Sequence, residues 1–237
     1  MTPRSSTALR VEERDERRDA RLALLDAAYE GDRRPERMRR VFDVVLAIVA
    51  LVLTAPLVGV AMLAVRLDSP GPAIFRQRRL GRHGRTFHLV KLRGMYVDAR
   101  ERFPDLYDYG RHGRDNVGDF FFHGEEDPRV TRVGRILRKY SIDELPNFWN
   151  VVRGEMAVVG PRPEIPELGH MYGRELARIL SVRPGVTSPA KATGRDDLSL
   201  EETIARDLDY VENRSWKLDL LTVWQTVLGV VRGHGVS

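Results

Sequence analysis

Two adjacent carboxylates, Asp143 and Glu144, close a basic run that holds Arg132, Arg135, Arg138 and Lys139, and Pro146 follows two residues later. Ser141-Ile-Asp-Glu144 has the spacing of a capping box, and spacing alone is satisfied if these residues only begin a helix. If Asp143 is the cap instead, Pro146 falls in the first turn, and the pattern admits both registers. Carboxylates at a helix N-terminus lie in a positive local field, which keeps them ionised and able to attack an electrophile or bind Mg2+. Downstream, Gly160-Pro-Arg-Pro163 and Arg183-Pro-Gly185 each set an arginine beside proline. Arginines on stiff loops around a carboxylate pair suit a diphosphate, because bidentate guanidinium contacts neutralise phosphoryl oxygens and a metal carries the remaining charge. A solvated basic face explains Arg132 and Arg135 as well; it explains Arg162, fixed between two prolines, less well.

Composition excludes several other chemistries. The chain has 237 residues with 42% hydrophobic and 31% charged side chains, enough to build a core and too apolar for wholesale disorder. It has no cysteine, which removes disulfides, thiolate metal sites and thiol nucleophiles and fits a protein facing a reducing compartment. Its six histidines form no H-x-x-x-H pair, so a helical zinc site is excluded.

The elements that must position the dyad begin with a hydrophobic one. Val44 to Val65 is 22 residues without a charge. As a straight helix it spans roughly 33 Å, enough to cross a hydrocarbon core. It starts too far along the chain for a signal peptide, and it is too apolar on all sides for a core helix in so small a domain. Pro56 sits near its middle and predicts a break. Arginines flank both ends, Arg37, Arg39 and Arg40 before and Arg66, Arg76, Arg78 and Arg79 after, so the positive-inside tendency draws both ends to one side. A Pro-broken, re-entrant helix satisfies both observations; a kinked bitopic span competes with it. Asp43, just inside the apolar boundary, needs a partner such as Arg39 or Arg40. The net charge of +5 is local to this region: residues 38–102 carry twelve basic and four acidic side chains, whereas 1–37 balance at nine each. The remainder is net acidic, which argues against a nucleic-acid partner.

Three parts follow: a charged extension over 1–37, a membrane helix over 38–67 and a catalytic domain over 68–237. Within the last, Ala73–Leu80 and Thr86–Arg93 read as strands of a hairpin joined by Gly81-Arg-His-Gly84. Arg102–Gly124, with Phe120, Phe121 and Phe122, reads as loop. Helical patterns cover Arg132–Lys139, Glu144–Val152, Pro166–Ser181 and Ser199–Val211, and Trp216–Val231 has amphipathic spacing that fits core packing first and a membrane surface second.

Taken in order, these motifs resemble the bacterial sugar transferase family of monotopic phosphoglycosyl transferases. The matching stretches are Arg40-Val-Phe-Asp43 at the start of the apolar helix, Pro56, Ser69-Pro-Gly-Pro-Ala-Ile-Phe-Arg-Gln77, Arg79-Leu-Gly81 and Phe87 through Lys91-Leu-Arg-Gly-Met95. Asp127–Thr131, Ser141-Ile-Asp-Glu-Leu-Pro146, Gly160-Pro-Arg-Pro163, Arg183-Pro-Gly-Val-Thr187 and the terminal Tyr210-Val-Glu-Asn and Leu218-Asp-Leu-Leu complete the set, about residues 38–231. The resemblance implies an α+β, predominantly helical monotopic fold with a re-entrant helix, a small hairpin and a C-terminal amphipathic helix. It implies transfer of a sugar 1-phosphate from a nucleoside diphosphate sugar, commonly a UDP-sugar, to a polyprenyl phosphate, initiating polysaccharide assembly at the cytoplasmic face of the bacterial inner membrane. Asp143 is then the nucleophile that forms a phosphosugar intermediate, and Glu144 assists with metal or proton handling. Asp143 and Glu144 are the implied Mg2+ ligands, and Arg138, Arg162, Arg183, Arg195 and Lys91 the implied substrate-binding residues. Oligomeric state is open between a monomer and a homodimer. The competing assignment is a non-catalytic, membrane-anchored scaffold of a polysaccharide assembly complex, which needs the anchor but no intact dyad. The chain departs from the family where Gly-x-Ala-Gln usually follows Thr187: here Ser188-Pro-Ala-Lys191 precedes Gly194-Arg195. Ala55 and Gly94 stand where relatives often carry a hydroxyl residue.

Overall fold

The computed structural model describes residues 33–107, 127–193 and 200–231. Arg195, Phe120–Phe122 and the first 32 residues of the N-terminal extension lie outside them.

The apolar run forms one helix, α1 (Arg33–Asp68), five residues longer at its start than the 38–67 expectation. Pro56 lies inside it and does not interrupt it, a correction to the expected break. A proline removes one hydrogen bond, and the flanking turns of an otherwise apolar helix retain theirs. The helix is long and apolar enough to cross a membrane and only 11% of its apolar window is buried. Both ends rest on the same body. Near the start, Ala47 packs with Val151, Met156 and Tyr210; near the end, Ala61 and Val65 pack with Leu92 and Leu137. Every residue from 48 to 60 is exposed or half-buried.

Polar contacts pin the two ends. Arg40 Nη2 donates to Val152 O at 3.0 Å, and Asp43 accepts from Val158 N–H at 3.1 Å. Of the two expected partners of Asp43, Arg40 acts on it through its charge, whereas Arg39 pairs with Asp219, and the hydrogen bond to Asp43 comes from a backbone amide. At the far end Arg93, buried at 4% exposure, ties down the exit of α1 by donating to Ser69 O at 2.7 Å, Val65 O at 3.3 Å and Pro70 O.

β1 (Ile74–Leu80) and β2 (Thr86–Leu92) form the expected antiparallel hairpin, with Arg76 opposite Val90 and Phe75 opposite Lys91. Its turn is tight because His83 takes a left-handed φ of 58°. Next come a short helix that periodicity did not reveal, α2 (Ala99–Arg102), a 3-10 turn over Pro104–Tyr107 within the stretch expected as loop, and then α3 (Arg132–Lys139), as expected. α3 starts where Thr131 Oγ1 accepts from Gly134 N–H and Asp68 accepts from Val133 N–H, both at 3.0 Å, so the last residue of α1 caps the helix that leads to the dyad. Gly134 cannot be larger: a Cβ there would lie 2.0 Å from Gly94 O.

α4 (Asn147–Arg153) is shorter than the expected Glu144–Val152 helix, because Ile142–Glu144 forms a 3-10 turn ahead of it. Buried Asn150 ties α4 to β2 by accepting from Val90 N–H at 3.0 Å and donating to His88 O at 2.7 Å. β3 (Ala157–Val159) runs parallel to β4 (Gly185–Thr187), a pair of three-residue strands that periodicity does not reveal. The single helix expected over Pro166–Ser181 is a 3-10 stretch, Pro166–Tyr172, and α5 (Glu175–Ile179), parted at Gly173 with φ 58°. α6 (Pro189–Thr193), α7 (Leu200–Asn213) and α8 (Trp216–Val231) complete the chain. α8 lies beside the first half of α1, with Phe42 and Trp216 edge to face at 5.4 Å, and it leaves Leu220, Leu221, Trp224 and Val227 exposed. The fold is mostly helical with a small antiparallel hairpin and one long apolar helix.

Candidate active site

The dyad is presented by strained backbone. Ser141 adopts φ 51°, ψ 26°, a left-handed conformation uncommon for a residue with a Cβ. Its hydroxyl caps nothing, so neither capping register holds: the turn Ile142–Glu144 is 3-10, and Pro146 precedes α4 instead of sitting in its first turn. The twist at Ser141 turns Asp143 inward to 1% exposure and leaves Glu144 half-buried.

Cations surround the pair. Lys191 Nζ, on α6, is ion-paired with Glu144 Oε2. Lys91, at the end of β2, and Arg138, on α3, act on Asp143 through their charge, and Arg162 acts on Glu144. Arg138 is steadied by Asp127, whose carboxylate lies 3.8 Å from its Nη1. Asp127 is itself buried and grips Arg129 through Nε at 2.9 Å and Nη2 at 2.8 Å. Arg162 projects from between its two prolines with an exposed guanidinium, 4.0 Å from Glu164. Its loop is tied to the hairpin by Arg79, which donates to Pro163 O at 2.9 Å, and by Leu80 N–H, which donates to Glu164 O at 2.8 Å.

The two carboxyls divide electrostatically. Burial and the charge of Glu144 push the Asp143 carboxyl above its ordinary range, against the pull of Lys91, Lys191 and Arg138. Burial also opposes ionisation of Glu144, but the charge and hydrogen bond of Lys191, with Arg162 and Lys91, outweigh it and hold this carboxyl below its ordinary range. Burial lowers the Lys91 ammonium to about 8, despite the opposing charge of Asp143. Asp143 Oδ1 is buried and has no hydrogen-bond partner among the described residues. A desolvated, basic carboxylate oxygen among fixed positive charges can act as a nucleophile toward phosphorus, with the cations receiving the phosphoryl oxygens. The donor set also fits a hard divalent cation. Among the described residues no group of three acidic or histidine ligands gathers, so such an ion would take one or two carboxylates and fill its shell with phosphate and water, as Mg2+ does.

The structure thus brings Asp143, Glu144, Lys91, Arg138 and Arg162 together. It holds Arg183 elsewhere: Nε donates to Gly154 O at 3.0 Å and Nη1 to Glu36 at 2.8 Å, beside the start of α1. Arg40, Asp43 and Pro56 belong to the long apolar helix α1. Lys191 and Asp127 join the site although spacing pointed to neither; the only sign of Lys191 was its place in the segment that departs from the family pattern.

Comparison with known proteins places the chain in a family. The family model for bacterial sugar transferases matches residues 34–233. An exopolysaccharide production protein, ExoY, of Rhizobium meliloti is 38% identical over 204 residues, covering 83% of this chain and 87% of the relative. A UDP-glucose:undecaprenyl-phosphate glucose-1-phosphate transferase of Caulobacter vibrioides is 42% identical over 197 residues, covering 80% of this chain and 68% of the relative. An undecaprenyl-phosphate galactose phosphotransferase of Salmonella typhimurium is 34% identical over 198 residues, 84% of this chain and 41% of the longer relative. The chain belongs to the bacterial sugar transferase family. It is an enzyme of the class that transfers substituted phosphate groups.

Proposed function

We propose that the chain transfers a sugar 1-phosphate from a nucleoside diphosphate sugar, a UDP-sugar, to a polyprenyl phosphate of the undecaprenyl type, and so begins assembly of an exopolysaccharide. The observation that carries this reading is Asp143: 1% exposed, with one oxygen unpartnered among the described residues and lysine and arginine charges converging on it. Asp143 attacks the β-phosphorus, the bond from that phosphorus to the bridging oxygen breaks, and the nucleoside monophosphate leaves with the electron pair. An oxygen of the lipid phosphate then attacks the same phosphorus, and the bond to Asp143 breaks to regenerate the carboxylate. Lys91, Arg138 and Arg162 receive the phosphoryl charge, and Glu144 takes part in proton handling at the lipid phosphate. Asp143 and Glu144 are the residues that would hold Mg2+, which supplies charge neutralisation at the diphosphate when bound.

The membrane arrangement follows from α1. Both of its ends rest on one body, and its exposed middle carries Val52, Leu53 and Leu57. In our reading the helix, continuous through Pro56, bends there so that it enters and leaves one leaflet, at the cytoplasmic face of the inner membrane, with α8 against the same surface. Both substrates then meet at the headgroup plane. Labelling of single cysteines placed at Arg37 and Arg76 in sealed vesicles is expected to give equal accessibility; opposite accessibility sinks the re-entrant arrangement.

The activity is tested by incubating a panel of nucleotide sugars with polyprenyl phosphate and scoring nucleoside monophosphate release. One sugar is expected to dominate. A quench with donor alone is expected to leave a sugar-phosphate mass on the peptide that contains Asp143; turnover without any such adduct rejects the covalent route and leaves direct transfer.

A further inference from the structure

The two carboxylates of the dyad differ in what touches them. Asp143 Oδ1 has no hydrogen-bond partner among the described residues, whereas Glu144 Oε2 holds the ammonium of Lys191. Lys191 stands on a fixed base: Pro189 begins α6, and the Lys191 N–H donates to Ser188 Oγ at 3.0 Å. The ion pair is not sealed, since the Lys191 and Glu144 side chains keep 15% and 19% of their surface exposed. Arg138 differs in its chemistry and partner, a planar guanidinium 3.8 Å from buried Asp127 and not paired with the dyad's Glu144. Lysine presents a compact charge on a flexible four-carbon stem, able to change partners without moving backbone. Any diphosphate brought to Asp143 arrives beside Glu144, so its oxygens and the Glu144 carboxylate compete for one ammonium.

We infer that Lys191 is a ligand for the donor's diphosphate, kept in place on Glu144 until the donor arrives and handed over to the phosphoryl oxygens as it binds. The inference rests on the donor class proposed above and deepens it: donor binding and release of Glu144 become one event. Lys191 occupies the segment where this chain departs from the pattern of the family it resembles, and the glutamine usual there carries no charge to hand over. The coupling is therefore a property of this chain.

A double-mutant cycle on the full-length protein in detergent tests it. Binding of UDP, TDP, GDP, ADP and CDP is measured by calorimetry with magnesium, and the tightest binder is then carried, in EDTA so that Glu144 has no metal to lose, through wild type, K191M, E144Q and the double variant. K191M is expected to bind about tenfold more weakly, the order of one charge-assisted contact to phosphate. E144Q is expected to bind several-fold more tightly, because the ammonium is released in advance, and this gain is expected to vanish in the K191M background. Unchanged binding in K191M overturns the inference. So does an E144Q gain of equal size in both backgrounds, which would mark a general field effect without exchange of partners. If K191M does not fold, as judged by its melting curve, K191Q carries the same expectations. A wild-type chain that binds none of the five diphosphates defeats the donor reading itself, a result distinct from either outcome for Lys191.

Discussion

Two charge-dense regions lie in this molecule, and they use the same side chains for opposite ends. At the start of α1, Arg39 pairs with Asp219, Arg183 and Arg214 bind Glu36 at 2.8 and 3.1 Å, and Arg40 takes Val152 O. Each guanidinium there is directed at a carboxylate or carbonyl of the protein, and the result is a fastening between the apolar helix α1 and the body. Around Asp143 the cations instead converge on a buried oxygen that no described residue satisfies. A buried carboxylate oxygen left without a hydrogen bond is costly in a folded chain and useful when a reacting phosphate completes the site. The contrast is sharpest between Arg162 and Arg183. Both adjoin proline and both read as phosphate-binding loops, yet one projects beside the dyad and the other is committed to Gly154 O and Glu36.

The largest effect is expected at the centre of the first region's counterpart. Asp143→Asn removes the nucleophilic charge while keeping shape, and turnover measured as nucleoside monophosphate release is expected to fall by ~10^3-fold or more. Membrane fractionation is expected to be unchanged, because the fastening around Glu36 is untouched. Retained monophosphate release in that variant breaks the assignment.

Next come the paired arginines. Arg162→Ala is expected to lower kcat/KM by roughly 10- to 100-fold with little change in melting temperature, as one charge-assisted phosphate contact is lost. Arg183→Ala is expected to do the reverse, removing contacts to Gly154 O and Glu36 and costing on the order of 1–3 kcal/mol of stability, with kcat per folded molecule nearly kept. A catalytic loss at unchanged melting temperature in Arg183→Ala returns that residue to the substrate and erases the distinction.

The smallest effect concerns the support beneath Arg162. Asp207, on α7, is 1% exposed, and burial followed by the charge of Glu164 raises its carboxyl from 3.8 to about 7; Arg162, through its backbone and its charge, opposes the rise. Tyr172 binds Glu164 in the same cluster. Because the folded pKa lies above the unfolded one, the stability linked to the Asp207 proton is present at pH 4 and lost as pH rises through about 7. Asp207→Asn mimics the protonated form. It is expected to melt roughly 3 °C or more above the parent at pH 8 and to match it at pH 4. Parallel melting curves for the two proteins across that interval contradict a buried, proton-holding Asp207.

Much of this was legible from residue order. The hairpin, α3 and α8 follow their apolar periods within a residue or so, and α1 is announced by its 22 uncharged residues. The dyad stood out because two carboxylates end an arginine-rich run. What escaped depends on contacts across long stretches of chain. Lys191 lies 47 residues from Glu144, and no local pattern joins them. The parallel pair β3 and β4 is too short for alternation to register. The left-handed Ser141 overrode both capping registers, since its identity favours a cap while packing of the dyad demands the twist. Arg162 and Arg183 could not be told apart by spacing, because what separates them is Glu36, more than a hundred residues upstream of either.

Asp68 is the last residue of the apolar helix α1, and its carboxylate accepts from Val133 N–H at the first turn of the helix that ends in Arg138 and Lys139. Any displacement of the end of α1 is therefore delivered to the helix that carries Arg138 through one short polar joint, so the seat of the apolar helix and one wall of the dyad are mechanically coupled.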